Sequence, residues 1–214
     1  MTILITGANR GIGAGLLAHY HATDLAAFGT ARRPAGDLLP LDVTDTDSQH
    51  ALARRLNGLP ISLLVCNAGI YPDKGQTLEA GYKPALWAQG FATNVTGVFL
   101  TIQTLLPNLR AGHGKIAIIA SAMGSDARAP GGSYIYRASK AAALNLGRNL
   151  ATDLHAEGIA VGIYHPGWVQ TEMGGPAAEI TTAQSVAGLA QRFAALSLKT
   201  TGCFESYDGS AIPF

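Results

Sequence analysis

Charge is what this 214-residue chain most conspicuously lacks: 14% of its residues are Asp, Glu, Lys or Arg, against roughly 25% in an average domain, while hydrophobic residues reach 48%. A monomer with so little charge leaves much apolar surface uncovered, so self-association is expected, although composition does not separate a homodimer from a homotetramer. The formal net charge is +1, and no run of like charges occurs, which excludes nucleic acid and anionic membrane surfaces as expected partners. No apolar stretch approaches the ~18 residues of a membrane span. Met1 leads directly into Thr2-Ile3-Leu4-Ile5-Thr6, without a basic leader or a small-residue cleavage site, so a cytoplasmic location is expected. Only two cysteines occur, Cys66 and Cys203, both within apolar runs; they read as buried reduced thiols, not as a disulfide framework or a redox pair. The six histidines form no His-x-x-x-His or Cys/His cluster, and no metal is expected. Of these only His165, just after a strand, stands where it bears on a site; a structural histidine is the alternative.

What the chain does have is alternation. Short apolar runs separate longer segments of helical period, the pattern of an α/β protein with a parallel sheet. Strands are expected at residues 3–6, 26–30, 38–41, 61–66, 115–120, 159–164 and 203–206. Helices are expected at 12–21, 47–57, 84–93, 95–109, 133–156 and 182–196, supplying the right-handed crossovers that parallel strands need. The expected architecture is a single doubly wound, Rossmann-type domain: a parallel seven-stranded sheet with helices on both faces. Such sheets bind ligands beyond the carboxyl ends of their strands.

After the first strand, Thr6-Gly7-Ala8-Asn9-Arg10-Gly11-Ile12-Gly13 is a glycine-rich turn that opens a helix. Glycines allow positive φ and close backbone approach, and the helix N-terminus offers free N–H groups to a pyrophosphate. The spacing is Gly-x-x-x-Gly-x-Gly, so a turn without a ligand stays open. The second strand ends Phe28-Gly29-Thr30-Ala31-Arg32-Arg33, where an NAD site places an acid for the ribose hydroxyls. That acid is missing: Asp24 precedes the strand and Asp37 comes too late. Arg32, with Arg33 beside it, can grip a 2′-phosphate, and Arg10 can close over the same group. NADP(H) is therefore favoured over NAD(H), solvated arginines being the alternative.

The longest helical segment begins with Tyr136-Arg137-Ala138-Ser139-Lys140, whose i, i+4 spacing puts Tyr136 and Lys140 on one face. An ammonium within ~4–6 Å favours the phenolate and brings the phenol toward useful acid–base chemistry. The fifth strand delivers Ser121 to the ligand-binding edge, where its hydroxyl can hydrogen-bond a carbonyl. Asn94, at the turn into the 95–109 helix, is poorly suited to a helix interior and can hold a buried water. Trp168, Met173, Met123, Tyr71, Trp87 and Tyr134 are candidate substrate contacts, with core packing as the alternative reading.

In their order and spacing, Thr6 to Gly13, Asp42, Asn67-Ala68-Gly69, Asn94, Ser121, Tyr136-x-x-x-Lys140 and Pro166-Gly167 resemble the short-chain dehydrogenase/reductase family, from residue 2 to the last strand. Tyr207-Asp208-Gly209 and the segment His165 to Thr171 resemble its C-factor-like, carbonyl-reductase branch. The resemblance implies a cofactor half over about residues 1–120 and a catalytic and substrate half over about 121–214. It implies a tetrad in which Tyr136 protonates the carbonyl oxygen, Ser121 orients it, Lys140 lowers the tyrosine pKa and binds the nicotinamide ribose, and Asn94 anchors a relay water. Gly7, Asn9, Arg10, Gly11, Ile12 and Gly13 would hold the pyrophosphate, Asp42 and Val43 would flank adenine, and Asn67, Ala68 and Gly69 would lie beneath its ribose. Pro166, Gly167, Val169 and Thr171 would border the carboxamide. The substrate would be a small ketone, aldehyde or secondary alcohol. The resemblance also implies dimerisation through the 95–109 and 133–156 helices, where Ala138, Ala141, Ala142, Ala143 and Gly147 allow close packing. Two departures stand out: the link between strands two and three has no room for a helix, and the substrate loop at 171–182 is short, so the pocket is small or open. A cofactor-binding signalling protein with little turnover is the alternative function; an extended nucleotide-sugar epimerase or dehydratase is disfavoured by length.

Overall fold

The computed structural model describes residues 1–23 and 25–214; Asp24 lies outside the described residues. Seven strands, β1 (Thr2–Ile5), β2 (Ala26–Ala31), β3 (Leu39–Pro40), β4 (Leu63–Cys66), β5 (Lys115–Ile119), β6 (Ala160–His165) and β7 (Phe204–Ser206), form one sheet in the order β3-β2-β1-β4-β5-β6-β7. Every neighbouring pair is parallel. The strand order reverses between β1 and β4, which opens the binding crevice at the carboxyl ends of those strands.

The register explains the two-sided core. Leu4, Leu64, Ile116 and Val161 stand side by side across β1, β4, β5 and β6 and point to one face. There they meet α2 (Thr46–Leu56), α4 (Gly97–Ala111) and α5 (Tyr134–His155). Ile3, Ile5, Leu63, Val65 and Ala117 alternate to the other face, against α1 (Gly11–His21) and α6 (Thr182–Ala195). Burial on both faces is why the central strands are continuously apolar, as in the fully buried Leu63–Cys66.

The structure differs from expectation in several places. β3 shrinks to two residues, since Pro40 offers no N–H to a ladder. β4 starts at Leu63 because the Ile61 N–H is donated instead to the Asn108 carbonyl at the end of α4, 3.0 Å away. The two helices expected at 84–93 and 95–109 are one continuous run: α3 (Pro84–Phe91), a π-helical turn (Ala92–Thr96) and α4. The π turn accommodates an extra residue and carries Asn94. Among the small residues of α5, Ala143 is buried and Gly147 faces the sheet, where a Cβ would lie 2.6 Å from Ile163. Only Ala138, Ala141 and Ala142 are left partly open to a second helix pair. Among the described residues, no helix is long and apolar enough to cross a membrane.

Candidate active site

The glycine turn is built by β4 as much as by its own residues. Gly7 and Gly11 have φ of 66° and 54°, the left-handed region that favours glycine. A Cβ on Gly13 would stand 2.3 Å from the Gly7 carbonyl oxygen and 2.5 Å from Asn67 Nδ2. Asn67 Nδ2 donates to the Thr6 and Gly7 carbonyls at 2.9 and 3.0 Å, while Thr6 Oγ1 accepts the N–H groups of Asn67 and Ala68, both at 3.0 Å. The Asn67 amide thus pins the turn. Among the described residues no side chain caps α1, whose N-cap is Arg10, so the first-turn N–H groups of Gly11, Ile12 and Gly13 are left free beside exposed Asn9.

At the edge formed by β2, Arg32 and Arg33 are exposed and, among the described residues, make no hydrogen bond or ion pair. Thr30 Oγ1 is buried there, without a partner among the described residues. Asp42 approaches from β3: burial works against its charge, yet the Thr44 hydroxyl and N–H, helped by Arg32, hold its carboxyl below the usual range. Val43 packs against Gly97 at the start of α4. Arg10, expected to close over this edge, pairs instead with Glu172 from the loop after β6, the opposite charge within its reach.

The reacting groups converge where β5 ends. Ser121 starts a short 3₁₀ turn (Ala122–Gly124), accepts the Met123 N–H at 3.1 Å and is almost fully buried. Tyr136 and Lys140 enter from the first two turns of α5, both buried, with Nζ 5.7 Å from the phenol ring centroid. Burial dominates the net balance at the phenol. Lys140 Nζ is drawn to the Ile119 carbonyl at 2.8 Å, and burial pushes Tyr136 up to about 12, with Ser121 pulling it down and Tyr71 adding to the rise. Burial also brings Lys140 down to about 8. At neutral pH the phenol is therefore protonated, the form that can donate.

Asn94 is held by three hydrogen bonds of its side chain. Its amide donates both hydrogens, to the Ile70 carbonyl and to Ser139 Oγ, and its oxygen accepts the Ile70 N–H, each at 2.9 Å. The side chain therefore joins the 70s loop to α5. Gly69 borders this junction: a Cβ there would lie 3.3 Å from Asn94 Oδ1 and 3.6 Å from Lys140 Nζ.

Two contributors escaped sequence reasoning. Asp73, wholly buried, accepts the N–H groups of Ile135 and Tyr136 at 2.8 and 3.1 Å; a lone loop acid carries no signal for that. Gly124 lets the turn after Ser121 lie on the α5 backbone, since a Cβ would be 2.6 to 2.9 Å from main-chain atoms of Lys140 and Ala141.

The substrate side is formed by the loop after β6. Pro166 O accepts the Ser185 hydroxyl at 2.6 Å, and Gly167 has φ 87°, with Ile180 only 2.5 Å from where a Cβ would be. Buried Val169 bridges to Ile180, and the Thr171 methyl closes to 3.4 Å from a Cβ built on Gly11. Lys74 Nζ holds the Met173 carbonyl at 2.8 Å. Trp168 and Met173 are exposed on this loop. Opposite, Tyr71 stacks on Tyr136, with centroids 4.2 Å apart, and Tyr134 meets Tyr82 edge-on. Met123 is half-buried, its carbonyl held by Arg137. Trp87 stacks on Phe91 within α3, an intrahelical packing role.

The family pattern of short chain dehydrogenases matches residues 1–181. The chain is 37% identical to the C-signal of Myxococcus xanthus over 157 residues, covering 72% of this chain and 93% of that protein. Its fold is similar to an NADPH-bound carbonyl reductase from chicken fatty liver, with TM-score 0.90 and 31% identity over 100% of this chain and 98% of the other. It is likewise similar to the carbonyl reductase Sniffer of D. melanogaster, with TM-score 0.92 and 27% identity over 100% and 99% of the two chains. Because the matched span runs from β1 through the loop after β6, it takes in every element that builds this crevice, and the chain belongs to the short-chain dehydrogenase family.

Proposed function

We propose that the chain is an NADP(H)-dependent oxidoreductase acting on a small ketone, aldehyde or secondary alcohol, with Tyr136 as its acid and base. The observation that carries this reading is the convergence of the Ser121 hydroxyl, a buried protonated Tyr136 and Lys140 at the end of β5. The crevice beside them fits a dinucleotide. The glycine turn is a cradle that a Cβ on Gly13 would fill, the first turn of α1 has no side-chain cap, and Thr30 Oγ1 is orphaned near two unpaired arginines. Arg32, seconded by Arg33, would take a 2′-phosphate, the first-turn N–H groups the pyrophosphate, Asp42 and Val43 the adenine, and Lys140 the nicotinamide ribose.

When bound, the reduced nicotinamide supplies the hydride. Ser121, its oxygen already accepting from Met123, donates its hydrogen to the substrate carbonyl. Tyr136 gives its phenolic proton to the same oxygen, and Lys140 offsets the phenolate that results. Pro166, Gly167, Val169 and Thr171 wall the site and exclude water. We also propose that it works in the cytoplasm and as a homodimer, the self-association being supported by its low charge and by the partly exposed Ala138, Ala141 and Ala142.

The test is titration with NADPH and NADH by fluorescence, followed by oxidation of the tighter binder against ketones, aldehydes and quinones. Turnover that vanishes in Tyr136→Phe while NADPH affinity persists is the expected result; equal activity removes Tyr136 from the mechanism. Likeness to a protein named C-signal favours one second reading, a cofactor-binding signalling protein, and tight NADPH binding without turnover would select it.

A further inference from the structure

The geometry points to Asp73 as a positioning residue for the Tyr136 hydroxyl: a loop carboxylate that caps the catalytic helix from outside that helix. This inference rests on the reductase reading for its kinetic consequence, though not for its structural one. Helix α5 begins badly on its own. Ser133, before its first residue, has φ 49° and makes no side-chain cap, and the first bond closed by the helix is Arg137 N–H to Ser133 O at 2.9 Å. The N–H groups of Ile135 and Tyr136 therefore have no partner within the helix, and with Ile135 fully buried and Tyr136 nearly so, water does not replace one. Asp73 supplies both acceptors, one oxygen to each, from 62 residues away in sequence, and is itself inaccessible to solvent. Among the described residues no cation pairs with it.

The same short segment grips the start of α5 at two further points. Tyr71 stacks on the Tyr136 ring and its hydroxyl contacts Ser133 Oγ, while Ile70 is tied through Asn94 to Ser139. Residues 70–73 follow directly from Asn67 and Gly69 at the glycine turn. One stretch of chain therefore spans from the cofactor crevice to the backbone of the proton donor, and Asp73 is its terminal clamp. Catalytic geometry is steep in position, with misplacement by about 1 Å costing on the order of a hundredfold.

The experiment compares wild type, Asp73→Asn and Asp73→Ala. Asparagine keeps one acceptor but turns a donor toward a helix N–H, so it perturbs the cap with little change in volume. Amide hydrogen exchange at Ile135 and Tyr136 should accelerate about tenfold or more in Asp73→Asn, and this readout needs no turnover. For a carbonyl that the wild type reduces, kcat should fall about tenfold in Asp73→Asn and about a hundredfold in Asp73→Ala, with NADPH Kd within about twofold. Unchanged exchange overturns the cap. Unchanged kcat in the folded asparagine variant, or a loss of NADPH affinity as large as the loss of kcat, overturns the positioning role. If the wild type reduces no carbonyl, the reductase reading fails separately, and exchange alone decides whether Asp73 holds the helix.

Discussion

His165 should set the acid limit of this fold. It ends β6 with Nδ1 buried and unpartnered among the described residues, and burial, with help from Arg128 and Lys140 and against Asp208, lowers its pKa from 6.5 to about 4. The folded protein thus prefers neutral imidazole, whereas the unfolded chain takes up a proton near pH 6.5. Stability from this site is complete above the unfolded pKa and is lost as pH falls toward the folded one. A gap of about 2.5 units at about 1.4 kcal/mol each sets a ceiling near 3.4 kcal/mol, and at pH 5 the loss is at most about 2 kcal/mol. His165→Gln removes the titration and keeps a polar side chain. Urea unfolding of both proteins at pH 7 and pH 5 isolates the effect, because the carboxylates titrate alike in each. The wild type should lose about 2 kcal/mol more than the variant between those pH values. Equal losses, or an imidazole C–H resonance that titrates near 6.5 in the folded protein, would refute the reasoning.

Arg32→Ala should weaken NADPH binding by about 10- to 100-fold, as expected for a charge-assisted hydrogen bond to phosphate, and leave NADH nearly unchanged in the same fluorescence titration. Gly124→Ala drives a methyl into the rigid backbone of Lys140, and should cost about 1–3 kcal/mol in urea unfolding while lowering kcat, since Ser121 must move from Tyr136. Asn94→Ala removes three hydrogen bonds and leaves the Ile70 N–H and carbonyl without them; a loss of about 2–4 kcal/mol is expected from denaturation midpoints.

The sheet was legible because its signals are local. Leu63-Leu64-Val65-Cys66, apolar throughout, reads as a strand covered on both faces, and the glycine turn announces a strand-to-helix junction. Ser121, Tyr136 and Lys140 were legible because a strand end and an i, i+4 pair specify position with few alternatives. What stayed hidden depends on contacts distant in sequence. Asp73 meets the Ile135 N–H across 62 residues, and Gly124 matters only because another helix lies on it. The π turn was missed because an extra residue inside a helix leaves the apolar period almost intact on either side. Desolvation at Lys140 and the pull of the Ile119 carbonyl are likewise tertiary, and an i, i+4 spacing carries no sign of them.

Raising Tyr136 to about 12 and lowering Lys140 to about 8 are two expressions of one cost, that of a charge in a site closed to water. Either charge alone is penalised, whereas a phenolate formed beside an ammonium is offset by it. The site therefore resists phenolate until proton transfer creates it, and Lys140, mostly ammonium at neutral pH, is already in place when that happens. Ser121 acts in the same sense, as the one neighbour whose hydrogen bond lowers the tyrosine. At neutral pH the site keeps Tyr136 protonated, the form on which the proposed carbonyl reduction would draw. Running in reverse, it must first lose that proton against the full cost of burial, so oxidation is the direction that alkaline pH would favour.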